Sequence, residues 1–241
     1  YDSKKAGSTT VSHLRFSPVP IRSTYLVDQA AFIGCHHFGL LSNTDVLSRA
    51  AAGATLLINT PYGEGTWERI PVEVQQQIID RHLRVFGIDA NAVAKAVGLG
   101  GRVNTVLQTG FFALSGLLPP DEAIAAVKDS IRKTYGRRGE AVLTRNYQAV
   151  DEARRALFEI PVPEKVSGSV RIRPPVTAGA PEFVRSVTGK IISGRGDLLP
   201  VSAMPVDGTF PTGTSRWDKR SIATEIPVWD ADICIDCGRC A

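Results

Sequence analysis

Short apolar runs that alternate with helix signals constrain this chain more than any other feature. Ala31-Phe32-Ile33-Gly34-Cys35, Ala54-Thr55-Leu56-Leu57-Ile58-Asn59 and Leu83-Arg84-Val85-Phe86-Gly87-Ile88 are each the length of a strand rather than a helix. Such near-continuous apolar strands are buried on both faces, the habit of a mostly parallel sheet covered by helices on both sides. Between them lie helix signals. Ser42-Asn43-Thr44-Asp45 offers an N-cap and predicts a helix over Val46–Ala51. Pro71 opens a second helix that runs to about Arg81, with Val74, Ile78 and Ile79 on one face. Asp89 caps a third. Upstream, Thr9–Phe16 alternates apolar and polar residues and predicts a further strand.

From Val103 to Leu157 the period becomes helical, with helices predicted near 103–117, 121–135 and 140–158 and breaks at Pro119-Pro120 and Gly136. These helices are expected to cap the sheet. The character changes again near Ile160. Pro161, Pro163, Pro174-Pro175 and Pro181 mark an extended linker. Residues 184–192 carry weak signals, and Leu198–Ile226 reads as irregular loops and short strands that lean on other parts of a larger protein.

The chain ends on Cys234-Ile235-Asp236-Cys237-Gly238-Arg239-Cys240-Ala241. Cysteines at i, i+3 and i+6 form the front of a C-x2-C-x2-C-x3-C-P iron–sulfur run. Two intervening residues turn the chain tightly enough for successive thiolates to reach different irons of one 4Fe–4S cube. A structural zinc site wants a second pair of ligands at a distance, and none follows this pattern here. A disulfide framework does not suit cysteines this close in a chain of 241 residues. The fourth cysteine and its proline are absent, and the chain begins Tyr1-Asp2-Ser3 without a methionine. Both features suggest a piece of a larger electron-transfer protein.

Composition excludes several classes. The net charge of +4 is too small and dispersed for nucleic-acid binding, and 43% hydrophobic with 22% charged residues is ordinary for a globular domain. No apolar run reaches the roughly 18 residues of a membrane span. Three of the four cysteines fall in a metal-type cluster, which points to a reducing, cytoplasmic setting.

Four other constellations carry possible chemistry. Ser3-Lys4-Lys5-Ala6-Gly7-Ser8-Thr9-Thr10 is a small-residue loop with two ammonium groups, suited to an anion or to a solvated turn. Gly98-Leu99-Gly100-Gly101-Arg102-Val103-Asn104-Thr105 enters a helix, with Arg102 at its start. It is either an anion site or a turn that lets two helices approach. Asn59-Thr60-Pro61-Tyr62-Gly63-Glu64-Gly65 ends a strand, where ligands of open α/β sheets gather, or is an ordinary connection. Cys35-His36-His37 reads best as a buried thiol followed by junction histidines. No self-contained catalytic set is visible.

Taken together these strings resemble the pyruvate:ferredoxin (or flavodoxin) oxidoreductase family. The residues that carry the resemblance are Tyr1–Gly7, Thr10–Phe16, Ile21–Leu26, Val97–Arg102, Asp197–Ala203, Gly213–Arg220 and the cysteine run. The resemblance implies a Rossmann-like gamma-type domain over 1–160 whose first strand and glycine-rich loop lie upstream of Tyr1. It further implies a linker over 161–181, a small domain over 182–229 and the start of a two-cluster ferredoxin domain over 230–241. The small domain is named for a Glu-Lys-Arg signature, which here reads Asp218-Lys219-Arg220.

The implied reaction is oxidation of pyruvate on thiamine diphosphate and Mg2+, held in domains outside this piece, with acyl transfer to coenzyme A. Electrons leave through 4Fe–4S clusters to ferredoxin or flavodoxin, in a parent chain expected to be a homodimer. The gamma-type domain of the family is associated with coenzyme A. Ser3, Lys4, Lys5, Arg102 and Asn104 thereby become candidates for its phosphates, and Cys234, Cys237 and Cys240 for the cluster. Two other functions fit the same residues: the same machinery acting on another 2-oxo acid, and a non-catalytic scaffold with a structural zinc.

Overall fold

The computed structural model describes residues 10–22, 24–218 and 227–239. Four strands, β1 (Ala30–Cys35), β2 (Ala50–Asn59), β3 (Arg84–Ile88) and β4 (Phe158–Glu159), lie side by side in that order. β1, β2 and β3 are parallel, and the short β4 closes the far edge antiparallel to β3. The α/β reading therefore holds.

Alternation along the central strands sorts two cores. Leu56, Ile58 and Val85 point to one face, where they meet Val74 and Ile78 of helix α1 (Val72–Asp80) with Leu41, Leu47 and Ile70. Leu57, Phe86 and Ile88 belong to the other face, under α2 (Ala90–Ala96), α3 (Asn104–Leu114) and α5 (Glu140–Ala156). Each fully buried Val, Leu or Ile among them contributes about 1.5–3 kcal/mol relative to exposure. Helix α3 lies close over β2 at Gly110, where a Cβ would sit 2.9 Å from Leu57 Cδ2. Helix α4 (Pro120–Tyr135) packs on α5 through Ile124, Val127, Ile131 and Val150. The predicted helical cap is thus present. The Asp89 cap is present too, its carboxylate accepting from Ala92 N–H at 2.9 Å.

Three expectations fail, the first two for a physical reason that the contacts show. The helix predicted over Val46–Ala51 is absent, and Ala50 already belongs to β2. A six-residue helix nucleates poorly, and the segment is instead tied to groups distant in sequence as it enters β2. The Arg81 guanidinium donates to the carbonyls of Leu47 and Ala50, and Ala30 N–H donates to Arg49 O at 2.7 Å. Residues 10–16 form no strand. No described strand pairs with them, and side chains tie the segment instead. Arg15 donates to Leu26 O at 2.9 Å, and Val27 N–H donates to His13 Nδ1 at 3.1 Å. Over 184–192 the chain is helical, a π-turn at Val184–Thr188 running into α6 (Gly189–Ile192). The residues described between 198 and 218 hold single 3-10 turns and no strand.

The proline-rich linker is a strap laid along α1. Val72 N–H donates to Val170 O at 2.9 Å, and Ile172 N–H to the Glu73 carboxylate at 3.0 Å. Ser167 is its hub: its N–H donates to Gln75 Oε1 at 2.8 Å and its hydroxyl to Glu68 at 3.0 Å, while it accepts from the Trp67 indole at 3.0 Å. Further along, Arg195 reaches back to Asp45 at 2.7 Å. A small apolar cluster of Val176, Ala180, Val184 and Trp217 holds the arm that follows the strap.

Candidate functional site

Because β1, β2 and β3 are parallel, their carboxyl ends share one edge of the sheet. That edge brings together two constellations that the sequence presents separately, Cys35-His36-His37 and Asn59–Gly65. Asn59 is the clamp between them: its amide donates to His36 O at 3.0 Å and its carbonyl accepts from Ala90 N–H at 3.0 Å. One side chain thus ties the ends of all three parallel strands.

The polar groups of this edge are largely spent on each other. Thr66 donates its proton to Gly63 O at 2.7 Å, so in the 3.0 Å pair of hydroxyls Thr60 is the donor to Thr66. Thr60 N–H donates to Ile88 O at 2.9 Å. Cys35 is buried and its thiol donates to His37 O at 3.3 Å, with burial pushing its pKa up to about 12. A thiol held that high stays protonated and is a poor nucleophile. Desolvation lowers the pKa of His36, which favours the neutral ring. The edge reads as a structural junction, with exposed Tyr62 packed between Phe38 at 5.1 Å and the Arg69 guanidinium at 4.3 Å.

The glycine turn before α3 has a different character. Gly98 and Gly100 have φ of +74° and +61°, a conformation other residues adopt only with strain. Space for a Cβ is open at Gly100 and Gly101, so these glycines serve the turn and not a close helix approach. Arg102 and Asn104 are both exposed where α3 begins. The first turn of α3 has no side-chain cap and no acidic residue, leaving its N–H groups available. Arg102 anchors through Nε–H to Leu99 O at 3.1 Å. Arg145, on α5, lies along Gly98, with Nε 3.6 Å from the position a Cβ would take. No local pattern marks Arg145 in the sequence, because a basic residue on an exposed helix face carries no signal of its own. Uncapped N–H groups beside guanidinium groups suit a phosphate by their chemistry. Ser3, Lys4 and Lys5 lie outside the described residues.

At the other end of the chain, Cys234 and Cys237 are exposed and free, and Cys240 lies outside the described residues. Among the described residues no group of three or more His, Cys, Asp or Glu converges as a metal site. The turn around Cys234 nevertheless suits a thiolate ligand. Asp236 has φ of +53° and Gly238 +67°, left-handed backbone that turns the chain around Cys237. Asp236 N–H donates to Cys234 Sγ at 3.4 Å. That bond first, and the Trp229 side chain second, hold the Cys234 thiol below its usual range. Donors aimed at sulfur are what a cluster-bearing thiolate needs.

Comparison with known proteins identifies the family. The family described as pyruvate ferredoxin/flavodoxin oxidoreductase matches residues 1–156, well over half the chain. The chain belongs to that family. A second family, EKR, described as a domain of unknown function, matches residues 170–223. Among its relatives within the oxidoreductase family, a pyruvate-flavodoxin oxidoreductase of Rhodospirillum rubrum is 54% identical over the whole of this chain, which spans 20% of that protein. Another pyruvate-flavodoxin oxidoreductase, from a Nostoc species, is 53% identical, again over the whole chain and 21% of its own length. The pyruvate:ferredoxin oxidoreductase of Moorella thermoacetica is 41% identical over the whole chain and 21% of its length. The chain therefore spans about a fifth of the curated oxidoreductases it matches. No described helix is long and apolar enough to cross a membrane.

Proposed function

We propose that this chain is the coenzyme A-docking and electron-exit segment of a cytoplasmic, CoA-dependent pyruvate oxidoreductase. The observation that carries this reading is similarity over the whole of this chain, at 54% and 53% identity, to about a fifth of proteins named for pyruvate and flavodoxin. The parent protein would oxidise pyruvate, release CO2, form acetyl-CoA and pass two electrons singly to flavodoxin or ferredoxin. A relative named pyruvate dehydrogenase [NADP(+)], from Cryptosporidium parvum, is 33% identical over the whole chain, so this segment is compatible with a different final acceptor.

The division of labour follows the domains. Residues 1–160 form the CoA-associated unit, 161–181 the strap, 182–229 the small arm and 230–241 the start of the cluster module. Arg102 and Asn104 at the start of α3, with Ser3, Lys4 and Lys5, would hold the phosphates of coenzyme A. Cys234, Cys237 and Cys240 would ligate a 4Fe–4S cluster, whose chemistry is one-electron transfer. Thiamine diphosphate and Mg2+ would belong to other domains of the parent, a homodimer in this reading, and no residue here is assigned to decarboxylation.

The test is made on the parent protein purified without oxygen. Pyruvate should reduce a viologen dye only when CoA is present. A protein that carries iron and sulfide but ignores pyruvate would act on another 2-oxo acid. A protein that carries zinc and reduces nothing would be a scaffold.

A further inference from the structure

The strap makes its last tie to the sheet domain (1–160) at Arg173, whose N–H donates to Ser42 O at 2.8 Å. Pro174-Pro175 follow and have no N–H to donate. Beyond them the buried residues Val176, Ala180 and Val184, with Trp217 against them, form an apolar cluster of their own, separate from both sheet cores. Arg185 donates to Ala178 O at 3.1 Å, again within this unit. Among the described residues, the contact of Arg195 with Asp45 is the one hydrogen bond or ion pair between 176–217 and the sheet domain.

That contact is uneven. Arg195 donates to Asp45 Oδ2 at 2.7 Å from a side chain still half exposed, whereas Asp45 is largely buried. Oδ1 of the same carboxylate is enclosed and has no donor among the described residues. A part-exposed ion pair is worth little net, and an enclosed carboxylate oxygen without a donor works against docking. Apolar burial does not make up the difference, because the arm's cluster and the sheet cores are separate. We propose that the Asp45–Arg195 pair is a releasable latch. Closed, it fixes 176–217 on the sheet domain. Open, it lets that unit swing as one body about Pro174-Pro175, and Asp45 Oδ1 gains water as a donor. In sequence the unit leads on to the cysteine run, so the latch sets whether that run is tethered to the sheet domain. It works in the same way whatever the cysteines bind.

The experiment uses the parent protein with spin labels carried by unnatural amino acids at Gln76 of α1 and Lys190 of α6, both exposed. Pulsed EPR reads the distribution of distances between them. The wild type should show a docked distance and a minor, longer one. Arg195→Gln leaves Asp45 as an enclosed, unpaired charge and should raise the open-to-docked ratio roughly five- to tenfold. Asp45→Asn removes that charge together with the pair and should raise the ratio less, about two- to threefold. The double variant should fall back to the Asp45→Asn level. Hydrogen exchange within 184–192 should stay unchanged throughout, because the arm keeps its own cluster. A wild-type distribution in Arg195→Gln would overturn the latch. So would lost protection over 184–192, which would make the pair part of the arm's own fold. If the variants do not fold, the wild type decides. Raising salt from about 0.01 M to about 1 M cuts the screening length from about 30 Å to about 3 Å and should populate the longer distance, and a distribution indifferent to salt would overturn the proposal.

Discussion

Replacing Gln75 with Leu tests whether the proline-rich segment is a fixed strap. Gln75 is fully buried and all of its polar capacity toward the strap and the loop before α1 is in use. Its amide donates to Trp67 O at 2.9 Å and Ile70 O at 3.0 Å, and its carbonyl accepts from Ser167 N–H at 2.8 Å. The consequences differ by partner. Trp67 O keeps the Ile70 N–H at 3.0 Å, so it is not orphaned. Ile70 O has no other protein donor among those described and sits in the core, which costs about 1–3 kcal/mol. Ser167 is only half-buried, so water replaces its lost acceptor and the net loss there is about 1 kcal/mol.

The two losses predict two separate readouts in hydrogen exchange of the parent protein. Amides of residues 163–171 should exchange roughly fivefold faster, because about 1 kcal/mol of strap protection is gone. The first turn of α1 should lose more, in line with the buried Ile70 carbonyl. If the strap exchanges at the wild-type rate in Gln75→Leu, Gln75 does not hold it and the strap account is wrong.

Two further outcomes follow from the same geometry. Burial alone would raise the Glu73 pKa, but the Ile172 N–H, with its own N–H and Arg171, outweighs it and leaves the carboxyl below its usual range. A depressed folded-state value means that Glu73 stabilises the docked strap above its ordinary pKa, and that this contribution fades as pH falls below about 4. Exchange at 170–173 should therefore accelerate on acidification in the wild type and lose that dependence in Glu73→Gln, and a wild type indifferent to acid would contradict it. Cys237→Ala should lower the iron content while leaving exchange protection of β2 unchanged, because the cysteine turn lies outside both sheet cores; a loss of β2 protection would show the two parts to be coupled.

The central sheet was legible because β2 and β3 are apolar on both faces, so Leu56, Leu57 and Ile58 announce a buried parallel strand without knowledge of their neighbours. The helices from α1 to α5 were legible for a similar reason, through their period and through local signals such as Pro71 and Asp89. What escaped depends on residues far apart in sequence. The turn over 46–49 and the start of β2 are tied by Arg81, more than thirty positions away, which donates to the carbonyls of Leu47 and Ala50. The strap is decided by Gln75 and Ser167, whose contact spans 92 positions. The same distinction runs through the candidate site. The glycine turn and the cysteine spacing are local patterns and could be read. The Asn59 clamp and the placement of Arg145 along Gly98 are long-range, and no pattern in the sequence marks them.

The central claim is that the uncapped start of α3 docks coenzyme A. Steady-state kinetics of the parent oxidoreductase carrying Arg102→Ala tests it most directly, with CoA and pyruvate varied in turn. Removal of one charged hydrogen-bonding group predicts a rise of about tenfold in KM for CoA, with KM for pyruvate nearly unchanged. Wild-type values for both substrates, or an equal loss for both, would contradict the assignment of these residues to coenzyme A.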